Sequence, residues 1–509
     1  MAFQPSVYQQ NIFDWAKSGT GSALIQAVAG SGKTTTLMEM LPYLNGNVTI
    51  LAFSNKIAAE LAERIEKKGL DTSQYRASTF HSAGYSMLRY HNKNIKMDNN
   101  KVCTLIKELD IPLQYSTFVK KMVSMAKQWA IGFLYNVNSE KAWMTICDHF
   151  DYAQYLVDEE GELIEENAVE KGIKYAITIL IENNNRPSII DYDDMIYLPL
   201  ILKLKAFRVD NLLIDESQDI NPSRLELAKK LVKENGRVIA VGDGKQSIFG
   251  FAGSLPNAIE TIKSAFNCVE LPLTISYRCP KNVVAYAQQW VPYIKSAEAA
   301  IDGNVSTIND AQFRQILTTI TTDDAILCRN NKPLIDLAYS FIRNGIGCRV
   351  EGRDIGKGLQ NLIKKMGKKV TTLEDLSIKL NEYMLNETTK LMAQGKDAMV
   401  EMLTDKVETL LALIDQQDAD ATIQDLNNSI DQIFGDSSDG KKLVTLSSCH
   451  RSKGLEFRNV YWYGKNRWNP SFYAKKDWQM EQEINLMYVS ATRAKEELII
   501  VDVPLRNEE

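Results

Sequence analysis

The sequence predicts an α/β protein: two tandem parallel-sheet P-loop-type domains, each carrying a mainly helical inserted subdomain. Three observations lead there. Short unbroken apolar segments end in turn or helix-start residues, a second set of such segments follows the first, and two long blocks of helix-type periodicity interrupt the series.

The first set is "ALIQAVAG" (23–30), "VTILAFS" (48–54), "NLLIDES" (211–217) and "RVIAVGD" (237–243). Strands covered on both faces by helices lose the polar alternation of half-exposed strands, which is why such runs read as buried parallel strands. The second set is "AILCR" (325–329), "LVTLSS" (443–448), "NVYWYG" (459–464) and "ELIIVDV" (497–503), interleaved with helical stretches such as "KPLIDLAYSFIRNG". The blocks at 91–190 and 357–441 are poor in strand signals. The first carries "TFVKKMVSMAKQWAIGFL" and the acidic "VDEEGELIEEN"; the second carries "MVEMLTDKVETLLALIDQQ" and ends in "GDSSDGKK".

Length and composition set the class. A chain of 509 residues exceeds what one hydrophobic core supports, and 45% apolar with 24% charged residues is ordinary globular usage. No window has the ~20 consecutive apolar residues of a membrane span, and "MAFQPSVYQQNIFDWAKSG" lacks the features of a signal peptide, so a cytoplasmic protein is expected. Seven cysteines without a CxxC pair and only four histidines support neither a disulfide framework nor a structural zinc site. The net charge of −5 assigns any nucleic-acid contact to a local groove rather than a global field.

"AVAGSGKTTTL" places Gly30, Ser31, Gly32, Lys33, Thr34 and Thr35 between an apolar strand and a helical run. In that context glycines let backbone N–H groups close round phosphate oxygens and the helix N-terminus adds its positive end. Lys33 reaches the β/γ-phosphates of ATP and the Thr34 hydroxyl can hold Mg²⁺. Ala27 stands where GxxxxGK[ST] has its first glycine. "NLLIDESQD" delivers Asp215 and Glu216 at the end of another strand, one to hold Mg²⁺ and one to orient and deprotonate the attacking water. "VGDGKQSIFGFAGS" (241–254) breaks a strand at Gly242 and then sets Lys245 and Gln246 a few residues before Phe249 and Phe251.

This series of motifs resembles superfamily 1 helicases of the UvrD/Rep/PcrA type, over about residues 5–503. The resemblance implies two RecA-like domains that clamp ATP between them. The divisions are 1A (1–90 and 191–270), 1B (91–190), 2A (271–356 and 442–509) and a short 2B (357–441). "PSVYQQNIFDW" is similar to the adenine-reading Q motif, with Gln9 favoured over Gln10. "LAFSNKIAAEL" resembles a DNA-contacting motif that implicates Phe53, Ser54 and Asn55, and "STFHSAGYSMLR" another that implicates Thr79 and His81. "DYDDM" (191–195) resembles the acidic return from 1B to 1A.

In the second half, "ISYRCP" resembles a motif in which Tyr277 stacks on the base of ATP and Arg278 reaches the γ-phosphate. "LCRNN" implicates Arg329 and Asn331 in DNA contact. "TLSSCHRSKGLEF" puts His450 near DNA and Glu456 near the ribose, and "EINLMYVSATRAKEEL" offers Arg493 as a second arginine finger with Glu483 in support. "GDGKQSIFGFAGS" resembles the motif in which Gln246 senses the γ-phosphate while Phe249 and Phe251 stack on bases; the family usually has tryptophan at Phe251 and arginine at Ala252.

Plain alternatives exist for several residues. Arg278 and Arg493 also suit surface ion pairs, His81 and His450 suit packing, Phe53 suits a core, and Trp468 and Tyr473 are the surface-contact candidates in "VYWYGKNRWNPSFY".

The expected activity is ATP-dependent translocation 3′ to 5′ on single-stranded DNA with unwinding of duplex. The alternatives are a translocase that acts only with a partner and an ATP-switched subunit. Expected partners are single-stranded DNA, single-strand/duplex junctions and proteins of replication, repair or recombination, with the protein itself a monomer. A fused nuclease is disfavoured because the chain ends about sixteen residues after Arg493, and the 5′ to 3′ branch because "GDGKQSIFGFAGS" and "SKGLEF" look like the UvrD branch.

Overall fold

The computed structural model describes residues 3–158, 162–344, 346–367, 370–393, 397–418, 420–434 and 443–504. The turn-rich "GDSSDGKK" (435–442) and residues 159–161 of the acidic stretch lie outside them. The chain forms two compact units, residues 1–274 and 275–509.

The first unit holds strands β1 (Ala23–Ala27), β2 (Val48–Ala52), β3 (Tyr75–Thr79), β4 (Val209–Ile214), β5 (Val232–Gly242) and β6 (Val269–Leu273) in the order β3-β2-β4-β5-β1-β6. Every pairing is parallel; β1 sits between β5 and β6, with Ala23 opposite both Ile239 and Val269. All six strands therefore end at the same edge, where α/β sheets bind ligands. The strands expected from the sequence are the central ones, whose residues such as Leu212, Leu213 and Ile214 are fully buried. The two additional strands are the edges. "YRAST" and "VELPL" are only partly covered, so neither carries an unbroken apolar run. Taking in β6, the first unit runs to Thr274, past the expected boundary at 270.

Helices α1 (Val7–Ser18), α2 (Lys33–Met40), α3 (Asn55–Lys67) and α4 (Phe80–His91) connect the early strands. The inserted block then supplies α5 (Lys101–Glu108), α6 (Ser116–Gln128), α7 (Glu140–His149) and α8 (Ala168–Asn185), and α9 (Asp194–Ile201) and α10 (Pro222–Leu231) follow. The block's two ends lie side by side, Lys96–Met97 pairing in parallel with Ile189–Ile190. Its apolar side chains, among them Phe118, Met122, Trp143 and Ile146, are continuous with the core under the sheet.

Beneath that core runs a buried ionic cluster. Lys127 Nζ lies 2.5 Å from Asp191 and 2.8 Å from Asp194, and Lys101 Nζ lies 3.0 Å from Asp194. Asn183 completes it, accepting from Lys127 and donating to Asp194. The acidic "DYDDM" is thus the lock that ties α5, α6 and α8 to α9.

The second unit repeats the parallel plan with β7 (Asn304–Asn309), β8 (Ala325–Cys328), β9 (Cys348–Val350), β10 (Val444–Ser448), β11 (Phe457–Tyr463) and β12 (Ala494–Asp502), in the order β7-β12-β11-β8-β10-β9. The partly exposed edges, "NVSTIN" and "CRV", again carry no buried-strand signal. The tandem α/β reading holds, and Val460 to Tyr463 lie in a strand. The second helical block consists of Arg353–Lys365, Leu373–Ala393, Asp397–Asp415 and Ile423–Phe434, its first helix starting at 353 against the expected 357. Leu376, Leu380, Val407, Leu410 and Leu426 join one core with the sheet of this unit.

Candidate nucleotide and nucleic-acid site

In the first unit the chain leaves β1, turns through Gly30 (φ 70°) and Gly32 (φ 77°), and enters α2 at Lys33. Both glycines occupy the left-handed region that side chains with a Cβ disfavour. Ala27 needs no such freedom. It is the last residue of β1, buried and paired with Leu273, so the departure from GxxxxGK[ST] falls where the backbone is still extended. The Ser31 hydroxyl is buried with no hydrogen-bond partner, and Thr34 and Thr35 stand half-buried at the start of α2. An orphaned donor beside two left-handed glycines and a lysine fits a phosphate group.

Lys33 Nζ rests 3.0 Å from Glu216 Oε1. Burial alone would lower the lysine's pKa, but the carboxylates of Glu216, Asp243 and Asp215 outweigh it and raise the value, so Lys33 stays charged. Burial, and then the neighbouring Glu216, push Asp215 up to about 6. Two adjacent acids at the end of β4 thus share one lysine, a charge arrangement that a phosphate-bound cation would relieve. Among the described residues no group of three or more His, Cys, Asp or Glu could hold a metal by itself. Glu216 sits at φ 48°, a left-handed conformation that costs on the order of 1 kcal/mol and turns its carboxylate out of the strand direction.

A side-chain relay leaves this acid. Gln218 donates to Glu216 Oε2 and accepts from the Asp243 N–H at 3.0 Å, and Gln246 Nε2 donates to Asp243 Oδ2 at 2.7 Å. Gly242 permits the approach, since a Cβ there would lie 2.5 Å from Ser217 Oγ. Three residues on, Phe249 and Phe251 meet edge to face at 6.0 Å, with Phe251 57% exposed. Gln9 is buried against the same loop, donating to Thr36 Oγ1 at 3.0 Å, whereas Gln10 turns outward to Asp14.

The remaining candidates of the first unit line the C-terminal edge of β2 and β3. Ser54 and Thr79 cap α3 and α4, accepting from the N–H groups of Ile57 and Ser82, and Asn55 is exposed. Phe53 is half-buried, meets Phe80 edge to face, and carries the Arg224 guanidinium 4.7 Å above its ring. His81 stacks on Tyr192 at 3.9 Å; burial, and then the charge of Arg224, push its pKa down to about 4, so it is neutral at physiological pH.

In the second unit Arg278 and Arg493 converge on Thr492. Arg278 Nη1 donates to its carbonyl and Nε to Glu456 at 2.8 Å, while the buried Arg493 donates to Thr492 Oγ1 and to the Val489 and Leu455 carbonyls. Tyr277 is half exposed beside them. Arg329 grips Glu483 through both Nε and Nη2, and Asn331 donates twice to Asp405 of the helical block. In this conformation both side chains are held internally. His450 is half-buried, with burial and then Arg329 driving its pKa to about 3. Trp468 packs on Tyr463 with rings 6.3 Å apart; Tyr473 and the exposed Phe472 line a 910 Å³ cavity.

Comparison with known proteins settles the kinship. The UvrD/REP helicase N-terminal domain matches residues 9–267, just over half of the chain, and the UvrD-like helicase C-terminal domain matches 351–503. This chain belongs to the UvrD/Rep helicase family. It is 25% identical to a probable DNA helicase II homolog of Mycoplasma genitalium, over 95% of this chain and 83% of that protein. The Bacillus subtilis ATP-dependent DNA helicase PcrA is 23% identical over 96% and 82% respectively. A Buchnera aphidicola ATP-dependent DNA helicase Rep is 27% identical over 58% of this chain but only 45% of its own length. The Mycoplasma alignment runs to 603 positions, more than the 509 residues present here, so that relative carries segments this chain lacks.

Within this UvrD-type frame, Gln218, Arg224 and the Lys101/Lys127 pair escaped the sequence reading. Gln218 lies two residues past the acidic pair, the one local hint of its contact with Glu216. The lysines sit in amphipathic helices where a charge reads as solvated, and only the tertiary structure buries them.

Proposed function

We propose that this protein is an ATP-dependent DNA helicase that translocates 3′ to 5′ on single-stranded DNA and unwinds duplex. The observation that supports it most is the relay from Lys33–Glu216 through Gln218, Asp243 and Gln246 to the turn bearing Phe249 and Phe251. It spans the short distance between a hydrolytic site and an aromatic platform for bases.

Lys33, the Gly30–Gly32 loop and Gln9 bind ATP in this reading, Tyr277 and Glu456 hold its base and ribose, and Thr34 with Asp215 would hold Mg²⁺, which neutralises phosphate charge. Glu216 takes the proton of the attacking water. Arg278 and Arg493, on the other unit, complete the charge complement when the units close, and reopening after hydrolysis moves the DNA grips. The units correspond to 1A with insertion 1B and to 2A with a short 2B, and the protein works as a monomer in the cytoplasm. A partner-dependent translocase is the second reading, favoured by the internal engagement of Arg329 and Asn331, which leaves those DNA contacts to be released.

ATPase assays with and without single-stranded DNA test the proposal. Stimulation of at least an order of magnitude is expected, lost in Glu216→Gln; turnover indifferent to DNA would overturn the motor reading.

A further inference from the structure

A cavity of 250 Å³ opens in the first unit between the His81–Tyr192 stack, Arg224 and Ala252. Two cations and one acid, Asp193, line it, and the cations differ. Lys127 is buried and shared between Asp191 and Asp194. Arg224 has its guanidinium carbon 4.7 Å from the centre of the Phe53 ring and donates from Nη1 to the Asp219 carbonyl, which uses part of a five-donor fork.

Asp219 ties this arginine to the rest of the site. It lies one residue beyond Gln218; Ser254 Oγ also donates to its carbonyl, and the Leu255 N–H donates to Ile220. The short segment 217–224 therefore touches the acid Glu216 at one end, the turn after Phe251 at its middle and the cavity at the other. Ala252, exposed at the cavity wall, offers no charge of its own.

We infer that Arg224 is a DNA-contacting residue whose guanidinium binds a phosphate of the single strand at this cavity, supplying from α10 the cation that Ala252 cannot. The inference rests on the proposed reading that single-stranded DNA crosses this unit. Its chemistry is that of an aromatic-backed guanidinium: one edge anchored to a backbone carbonyl, the other presenting parallel N–H groups to an anionic oxygen pair.

The test measures binding of fluorescent oligo(dT) by the full chain across a series of salt concentrations. Replacing the cation in Arg224→Gln should weaken binding roughly tenfold, as expected for a lost charge-assisted hydrogen bond. It should also flatten the slope of log K against log[salt] by about 0.7, the value for one phosphate on a single strand. Arg224→Lys should keep the slope, and adding Ala252→Arg to Arg224→Gln should restore both affinity and slope, which a misfolded variant cannot do. An unchanged slope in Arg224→Gln, or affinity lost without rescue by Ala252→Arg, overturns the inference. Wild-type protein that does not bind oligo(dT) overturns the motor reading itself.

Discussion

Lys33 carries three jobs in one side chain: it is a largely covered cation held by Glu216, Asp243 and Asp215, the phosphate ligand of the proposed reaction, and the charge that offsets the repulsion between two adjacent acids. Lys33→Ala should therefore abolish ATP turnover. Because it also removes the counter-charge of these acids, the variant should take up protons on folding, and its loss of melting temperature should shrink as pH falls from 7 to 5. A melting-temperature deficit independent of pH would contradict that. Phe251, by contrast, is exposed and meets Phe249 edge-on. Since a base stack is worth about 1–3 kcal/mol, Phe251→Ala should raise the DNA concentration for half-maximal ATPase stimulation by roughly tenfold. His81 titrates at about 4 against an ordinary 6.5. The unfolded chain takes up its proton first, so acid favours unfolding from pH 6.5 downward, and His81→Gln should reduce the slope of melting temperature against pH in that window. Lys33 and Asp215 were legible as candidates because each follows a strand or a loop directly, and Gln9 only through the resemblance of its segment, since its contact Thr36 lies 27 residues on. Gln218 and Arg224 were not, because what they touch is decided by how α10 and β5 pack.

At the level of elements, the inserted helices are fastened by charge as well as by apolar packing. Lys127 joins α6 to Asp194 of α9 at 2.8 Å and to Asp191 just before that helix at 2.5 Å, all three side chains buried. Removing one partner of such a cluster leaves uncompensated buried charge, at a cost of about 3–5 kcal/mol. Lys127→Met should lower the melting temperature of the whole first unit and not merely loosen the insertion, as the apolar core is shared. Thermal unfolding monitored by circular dichroism checks it, and an unchanged midpoint would show the cluster to be idle. The central strands of both sheets were legible as apolar runs; the edges Tyr75–Thr79, Val269–Leu273, Asn304–Asn309 and Cys348–Val350 were not, since partial exposure admits polar residues. Asp405 illustrates the same limit. Nothing around it in the sequence shows that it caps the helix beginning at Lys332 and holds Asn331 from a distance of 74 residues.

For the molecule as a whole, each parallel-sheet unit gathers charged side chains: Lys33, Asp215 and Glu216 beyond strand ends in one, Arg278 and Arg493 around Thr492 in the other. Phosphoryl transfer needs little more than positioning and charge neutralisation, so under the function proposed above, dividing the cations between two units would make hydrolysis depend on their closure. The second insertion, helical from Arg353 to Phe434, is short, and on that ground a monomer is expected to unwind without a second copy. Unwinding amplitude proportional to protein concentration, with no threshold, would bear this out. The most direct test of the central claim is single-turnover strand displacement with ATP on duplexes carrying either a 3′ or a 5′ single-stranded tail. The account predicts displacement from the 3′-tailed duplex and none from the 5′-tailed one; displacement from the 5′ tail alone, or from neither, would contradict it.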